Sequence, residues 1–220
     1  MYRSPKEESM VSTLRPRSRK MTASMKTQVI AALATIVSLL LFSSSAMAVS
    51  GTVSGGGGFA IPIAPQAFTD SWTGGVILTG RVEVRIAPMW SIVGGLNYSW
   101  FPLDEATFET PSVSVDGGDL TAVYGFGGMR LHLSTDLLPD MEVYGEGGAG
   151  VYSHKISDVT IKGASTSVML PGDSETAFAV HVTAGMRVSL FYGELTYLNA
   201  FTDVESTGIL SIQGGIAVDL

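Results

Sequence analysis

The chain has 220 residues, no cysteine and a net charge of −7, and its last 172 residues carry six basic and 18 acidic residues, a net charge of −12. Such an acidic chain is a poor candidate for nucleic-acid binding, which needs clustered lysine and arginine. The lack of cysteine excludes disulfides, a thiolate metal site and a cysteine nucleophile.

The first patterned segment is an export signal over residues 25–48. A lysine supplies the positive start, residues 29–42 form an apolar run of 14 residues, and residues 46–48 (Ala-Met-Ala) form a small-residue cleavage site. Because a membrane helix needs about 20 apolar residues, we expect a cleaved signal rather than a retained anchor. We therefore predict cleavage after Ala48, a leader or an upstream start in residues 1–24, and one domain over residues 49–220.

Alternation of apolar and polar residues predicts eight β-strands in this domain. In residues 76–86, Arg81, Glu83 and Arg85 share one face, and apolar residues or glycine take the other. The strands are longer than the five or six residues usual in soluble sheets and suit tilted membrane spans. Their predicted bounds are about 51–62, 74–87, 89–102, 119–134, 141–156, 176–190, 193–202 and 208–220.

The predicted connections alternate in length along the chain. They are 63–73, 87–89, 103–118, 135–140, 157–175, 191–192 and 203–207. The second, fourth and sixth are short, and the other four are longer or polar. Outer-membrane barrels have short periplasmic turns and long outer loops. In hydrocarbon, a sheet must close to leave no backbone group unpaired. The sequence therefore predicts an all-β, eight-stranded antiparallel up-and-down transmembrane β-barrel with both strand termini on the periplasmic side.

Two tryptophans on the predicted third strand indicate the height of the apolar band that it spans. Trp90 and Trp100 lie ten residues apart on the same face. At about 3.3 Å per residue and a tilt near 40°, they lie about 25 Å apart along the membrane normal, the height of the apolar band between two aromatic girdles. We interpret them as girdle residues, and the alternative is that tryptophan simply favours strands.

The opposite faces of the strands place charges of both signs on the inner wall. An eight-stranded barrel has an interior just wide enough for side chains to fill, and buried charges must pair. We predict a salt-bridged network that fills the lumen, and the alternative is a gated ion or proton path. A general porin is disfavoured further, because it needs about sixteen strands. The predicted network is Arg81, Glu83, Arg85, Arg130, His132, Glu142, Glu146, His181, Arg187 and Glu194.

One segment raises the possibility of catalysis. His132 and Ser134 share a strand face, and Glu142 or Glu146 could orient the imidazole, as a lipid A acyl hydrolase requires. The predicted topology places them inside the barrel at the periplasmic rim, away from the acyl chains. We therefore predict no catalytic residues and no enzyme. The histidines lack ligand spacing, so no metal site is predicted either.

Acidic residues are frequent in the predicted long loops. Asp104, Glu105, Glu109 and Asp116 are examples from one loop. We interpret them as solvated groups, and the alternative is divalent-cation bridging to lipopolysaccharide phosphates or to a partner.

Several segments carry a common residue-class pattern: Gly58 through Phe68 and Trp72 to Gly75, and residues 81–85 (RVEVR), 97–101 (NYSWF), 193–197 (GELTY) and 214–220 (GGIAVDL). On these segments the chain resembles the small bacterial outer-membrane β-barrel proteins of the OmpA/OmpX-like superfamily. The resemblance implies a monomer in the outer membrane that contacts lipids and lipopolysaccharide, is inserted by the barrel-assembly machinery and needs no cofactor. It implies a structural or surface-interaction role, in envelope integrity or adhesion, and leaves the surface ligand open. The alternatives are a lipid A-modifying acyl hydrolase and a narrow channel.

Overall fold

The computed structural model describes residues 50–110, 112–134, 141–163, 166–203 and 205–220, with only the backbone of Ser134. Its strands are β1 (Gly51–Ala64), β2 (Gly75–Ala87), β3 (Trp90–Phe101), β4 (Val113–Gly117), β5 (Leu120–Ser134), β6 (Met141–Ile156), β7 (Val159–Gly163), β8 (Ser167–Leu170), β9 (Ser174–Val188), β10 (Phe191–Phe201) and β11 (Ser206–Asp219). Its helices are α1 (Gln66–Ser71) and α2 (Glu105–Phe108). No helix in these ranges is long and apolar enough to cross a bilayer. The predicted leader, export signal, cleavage point and turn 135–140 lie outside the described residues.

Eight of the strands close into one antiparallel barrel in the order β1-β2-β3-β5-β6-β9-β10-β11 and back to β1. Each barrel strand pairs with the barrel strands that precede and follow it along the chain, so the topology is up-and-down. A closed sheet has no edge of unpaired backbone groups. The predicted fold class is confirmed, and each of the eight predicted strands agrees with an observed one to within two residues at either end.

The two ends of the barrel differ in their connections. At one end, called the turn end, β9 joins β10 through the two residues Ser189 and Leu190. The predicted turn at residues 191–192 is therefore wrong, because both residues already pair with β9 as part of β10. Ser189 has φ of 55°, in the left-handed region that a two-residue hairpin needs. Aromatic residues favour strands instead, which explains why Phe191 and Tyr192 extend β10.

At the opposite end, called the loop end, the longer connections contain secondary structure that the sequence pattern did not predict. α1 lies between β1 and β2, α2 and β4 lie between β3 and β5, and β7 and β8 lie between β6 and β9. β4, β7 and β8 form a separate three-stranded antiparallel sheet in the order β4-β7-β8, called the blade below. These strands have four or five residues, the lower limit at which alternation identifies a strand.

The barrel wall has an apolar outer face. On β9, Phe178 and Val182 point outward and are 57% and 63% exposed, whereas His181 and Thr183 are buried in the lumen. This alternation is expected when one side of a strand faces lipid. Trp90 and Trp100 point outward from opposite ends of β3, so the two tryptophans occupy positions that two aromatic girdles would require.

A charge on the outer face should destabilise the barrel. We expect Val182→Arg to lower the free energy of unfolding by about 2–4 kcal/mol, the cost of arginine near the middle of a lipid-facing wall. Urea unfolding in phosphatidylcholine vesicles would measure the loss. The matched control is Thr176→Arg, on the same exposed face of β9 but near the loop end, where we expect about 0–1 kcal/mol. Equal losses at the two positions would contradict this placement of the lipid.

The barrel closes at the seam where β1 pairs with β11. At the middle of this seam Gly56 pairs with Gly215. A Cβ on Gly56 would lie 2.4 Å from the carbonyl oxygen of Gly214, so the backbones are too close to admit a side chain there. At the turn end of the seam, Thr52 Oγ1 donates a hydrogen bond of 2.7 Å to Asp219 Oδ1. Backbone pairing therefore holds β1 and β11 together in the middle of the seam, and a side-chain hydrogen bond also joins them at the turn end.

Candidate functional site

The inner-wall residues predicted from the sequence lie in the half of the lumen near the turn end, called the turn half. Seven of the ten are buried, and the other three lie at the turn end and are partly exposed. The buried ones are Arg81, Glu83, Arg130, His132, Glu146, His181 and Glu194. The partly exposed ones are Arg85, Glu142 and Arg187.

Arg130 on β5 is the centre of the ionic contacts. Its Nη1 donates to Glu83 Oε2 at 2.8 Å, and its Nη2 and Nε donate to Glu146 Oε2 at 2.7 and 3.0 Å. Glu146 Oε1 in turn lies 2.9 Å from His181 Nε2, and Nδ1 of that imidazole lies 2.9 Å from the hydroxyl of Tyr124. These contacts join strands β2, β5, β6 and β9 across the lumen.

A second buried ion pair lies beside the first group. Both terminal nitrogens of the Arg81 guanidinium donate to the carboxylate of Glu194, and the side chains are only 3% and 0% exposed. The hydroxyl of Tyr144 donates to Glu194 Oε2 at 3.0 Å, and the guanidinium of Arg130 lies 4.0 Å from the centre of the Tyr144 ring. Tyr144 therefore connects the two groups.

Tyr124 and Tyr144 are members of the site that the sequence analysis did not identify. Both lie on the inward face of their strands, a position that could have identified them. Tyr144 pairs with Gly185 on β9, and a Cβ on that glycine would lie 2.4 Å from Cζ of the tyrosine. The glycine thus makes room for the ring that links the ion pairs.

His132 lies at the turn end between two carboxylates. Its Nε2 is 2.9 Å from Glu83 Oε1, and its Nδ1 is 2.6 Å from Glu142 Oε1. Arg85 Nη2 also donates to Glu142 Oε1, at 2.6 Å. A buried charge is tolerated when partners compensate it, and each ionised group here has one.

Arg187 does not join this network. Its Nη1 and Nη2 donate to the two carboxylate oxygens of Asp219 at 2.8 and 2.9 Å, and its Nε donates to the carbonyl oxygen of Ser189 at 2.8 Å. This bidentate pair fastens β11 to the turn between β9 and β10. The structure therefore brings nine of the ten predicted residues together and places Arg187 in a separate pair.

The histidine singled out as a possible catalytic base lies next to a different serine from the predicted one. The Oγ of Ser91, a fully buried residue, is 2.7 Å from His132 Nε2, while the side chain of Ser134 lies outside the described atoms. In a hydrolase this nitrogen must be free to accept the serine proton. Here Glu83 Oε1 is 2.9 Å from the same nitrogen, and a carboxylate can only accept a hydrogen bond from it. His132 therefore does not activate Ser91 as a nucleophile in this arrangement.

The half of the lumen near the loop end, called the loop half, is mostly apolar, although Ser99 is a buried polar residue within it. Inward-facing residues there form a buried cluster with the side chain of Phe68 on α1. The cluster includes Ala60, Ile77, Phe101, Leu120, Ala122, Tyr152, Ala179, Leu198, Ala200 and Ile209. The predicted polar inner wall therefore extends through only part of the barrel. The sequence could have predicted this difference, because the strand ends nearest the loops carry apolar residues at their inward-facing positions.

Helix α1 closes the barrel at the loop end. Phe68 is 6% exposed, and its ring centre lies 6.0 Å from that of Phe101 and 5.3 Å from that of Trp72. Trp72 Nε1 donates to the carbonyl oxygen of Gly118 at 2.9 Å, which ties α1 to the connection after β4. The helix therefore holds an aromatic side chain inside the barrel mouth.

The turn half contains a cavity of about 10 Å³, lined by Arg81, Glu83 and Tyr144 among other residues. This volume holds about one water molecule. Within the described residues, no group of three or more histidine or acidic side chains is placed to hold a metal ion.

No family model and no curated protein matches the sequence. The structure is similar to that of Ail, the attachment invasion locus protein of Yersinia pestis, at 13% identity and a TM-score of 0.45, covering 77% of this chain and 98% of Ail. It is also similar to the N-terminal β-barrel domain of Pseudomonas aeruginosa OprF (10% identity, TM-score 0.40, 77% and 97% of the two chains). Neisserial surface protein A is a further similar structure (9% identity, TM-score 0.41, 77% and 95%). Identities this low concern the fold alone.

Proposed function

We propose that this chain is a small, monomeric outer-membrane barrel that acts at the cell surface through its loop end, without catalysis or conduction. The supporting observation is a lumen occupied by ion pairs in the turn half and by a mostly apolar cluster in the loop half. A barrel occupied in this way leaves the outer wall and the loop end as its interacting surfaces. Because the loop end carries the blade, we favour surface interaction over a purely structural role in envelope integrity.

The proposed location follows from the wall and from the predicted export signal. The apolar outer face suits the acyl chains of outer-membrane lipids and lipopolysaccharide, with Trp90 and Trp100 at the two membrane interfaces. Export with cleavage after Ala48 and insertion by the barrel-assembly machinery are part of this proposal. The turn end would then face the periplasm and the loop end the medium.

Single-cysteine variants test this orientation, since the chain contains no other cysteine. Ser112 is exposed at the loop end, and Met89 is 50% exposed at the turn end. On intact cells we expect a membrane-impermeant maleimide to label Ser112→Cys and to leave Met89→Cys unlabelled until the cells are lysed. The reverse pattern would contradict the proposed orientation.

The narrow-channel alternative requires a water path from one end to the other. The apolar cluster around Phe68 interrupts any such path between the ion pairs of the turn half and the loop end. We expect planar-bilayer recordings of the purified protein to show no discrete conductance steps. Steps that disappear in Arg81 or Glu83 variants would overturn the proposal in favour of a channel.

The hydrolase alternative requires a free base and access to lipid. His132 is held between carboxylates in the lumen, and Ser91 is fully buried. We expect mass spectrometry of lipid A to show the same acylation pattern in cells with and without the protein. A pattern that changes with the protein and is restored by loss of His132 would show that the chain is an enzyme.

Replacing the blade separates the two proposed roles. A variant with residues 159–170 exchanged for a glycine-serine linker keeps all eight barrel strands. We expect cells carrying it to resist detergent as the wild type does but to lose adherence to protein-coated surfaces. If cells carrying the linker variant adhered as the wild type does, and cells lacking the whole protein were sensitive to detergent, the protein would instead be assigned to envelope integrity.

A further inference from the structure

The blade has one apolar face. Residues that pair across antiparallel strands place their side chains on the same face. Val115, Ile161 and Val168 form one such row across β4, β7 and β8, and Val159 pairs with Leu170 in the next row. The five side chains therefore form a continuous apolar surface.

The opposite face of the blade is mostly polar. Asp116 pairs with Thr160, and Lys162 Nζ lies 3.4 Å from Asp116 Oδ2. Met169 extends this face on β8, where it pairs with Thr160. Met169 is therefore an exposed apolar side chain on the same short strand as Val168 and Leu170, but on the other face.

Exposure of the apolar face increases toward β8. Val115 on β4 is 7% exposed, because β4 lies against α2. Val168 and Leu170 are 53% and 48% exposed. β8 ends the order β4-β7-β8, so no further described strand pairs with its outer edge.

The apolar face adjoins the closed mouth of the barrel. A Cβ on Gly118 would lie 2.9 Å from Leu103 Cδ2 and 3.1 Å from Val159 Cγ2. The side chain of Val159 is thus beside the segment that follows β3, where Trp72 forms its hydrogen bond to Gly118. The patch formed by Val168 and Leu170 therefore belongs to a sheet face that extends, through Val159, to the residues at the barrel mouth.

The loop end that carries this patch is strongly acidic. The loop-end segments of the described chain carry eleven acidic residues and two lysines, a net charge of −9. The acidic residues are Asp70, Asp104, Glu105, Glu109, Asp116, Asp119, Asp158, Asp173, Glu175, Asp203 and Glu205. Such a field attracts cations and repels anions. It disfavours lipopolysaccharide phosphates as occupants of the patch, and it disfavours a second, equally acidic copy of this chain.

We propose that the apolar face of the blade at β8 binds a basic amphipathic polypeptide segment, with its apolar side chains on Val168 and Leu170 and its cationic side chains toward the acidic residues of the loop end. This inference rests on the proposed surface role and specifies the chemistry of the partner. Apolar contact supplies specificity for an amphipathic segment, while charge complementarity supplies attraction and a fast encounter.

The test uses the full-length protein in nanodiscs of zwitterionic lipid, with empty nanodiscs as the blank. The probes are three synthetic 12-residue peptides that alternate Lys with Leu, Lys with Ser, and Glu with Leu. We expect the Lys/Leu peptide to bind at least about tenfold more tightly than either of the others. We also expect its affinity to fall as NaCl is raised from 50 mM to 500 mM, because screening weakens the charge attraction.

Two variants locate the binding surface. Val168→Ser/Leu170→Ser removes the exposed apolar side chains, and we expect it to weaken Lys/Leu binding about tenfold or more. Met169→Ser makes the same chemical change on the opposite face of β8 and should leave the affinity within about twofold. Equal binding of the Lys/Ser peptide, an unaffected double variant or no binding above the blank would each overturn this inference. Conductance and cysteine labelling test the proposed function separately, so the two can fail independently.

Discussion

Glu194→Ala is expected to lower the free energy of unfolding by about 3–5 kcal/mol, the cost of leaving a buried charge without its partner. The Arg81 side chain is 3% exposed and directs both terminal nitrogens at Glu194. Removing the carboxylate leaves this guanidinium without its counter-charge and the Tyr144 hydroxyl without its acceptor. Urea unfolding in phosphatidylcholine vesicles would measure the loss.

A double-mutant cycle provides the control for this result. Arg81→Ala should lower the free energy of unfolding by a similar amount, because it leaves the buried Glu194 carboxylate without its partner. The double variant, which removes both charges, should lose less than the sum of the single losses by about 1–3 kcal/mol. Additive losses would contradict the assignment of Arg81 and Glu194 as a coupled pair.

Phe68→Ala is expected to destabilise the protein by about 3–5 kcal/mol, the usual range for removing a buried phenylalanine ring. The ring is part of the buried cluster of the loop half and packs beside Trp72, just after α1, and Phe101 on β3. Its loss leaves a cavity at the barrel mouth and exposes Trp72 to water. Urea unfolding measures the stability, and a red shift of tryptophan fluorescence in the folded variant reports the opened mouth.

Phe108→Ala is the matched control for this substitution. Phe108 also lies on a short loop-end helix, but it is 44% exposed and outside the buried cluster. We expect a change within about 0.5 kcal/mol and an unshifted fluorescence spectrum. A comparable loss at both positions would show that Phe68 does not act as a plug.

The barrel could be predicted from the sequence because each long strand alternates outward apolar residues with inward residues many times. On β9, apolar residues such as Phe178 and Val182 alternate with inward His181 and Thr183 over 15 residues. A shift of one residue would expose every inward group to lipid, so the pattern fixes which residues face inward. The ionic partners are harder to predict, because alternation places Arg187 and Glu142 on the same face without showing that Arg187 binds Asp219 instead.

The loop end was not predictable in the same way. α1 has six residues and no side-chain cap, so neither helical periodicity nor a capping residue identifies it. Its position depends on the tertiary contacts of Phe68 and Trp72, which alternation within a strand cannot reveal. In the blade, β7 and β8 form a local hairpin, but β4 pairs with β7 across more than 40 residues of sequence, and alternation within a strand cannot reveal that pairing.

The seam between the first and last strands has a consequence for assembly. Where Gly56 faces Gly215 the two backbones are too close to admit a side chain, so a slipped alignment that brought a side chain to this point would be excluded by steric overlap. The hydrogen bond between Thr52 and Asp219 and the irregular pairing between Pro62 and Ala64 add contacts specific to the observed alignment at the two ends of the seam. Closure of the barrel therefore depends on glycine in the middle of the seam and on side-chain contacts nearer its ends.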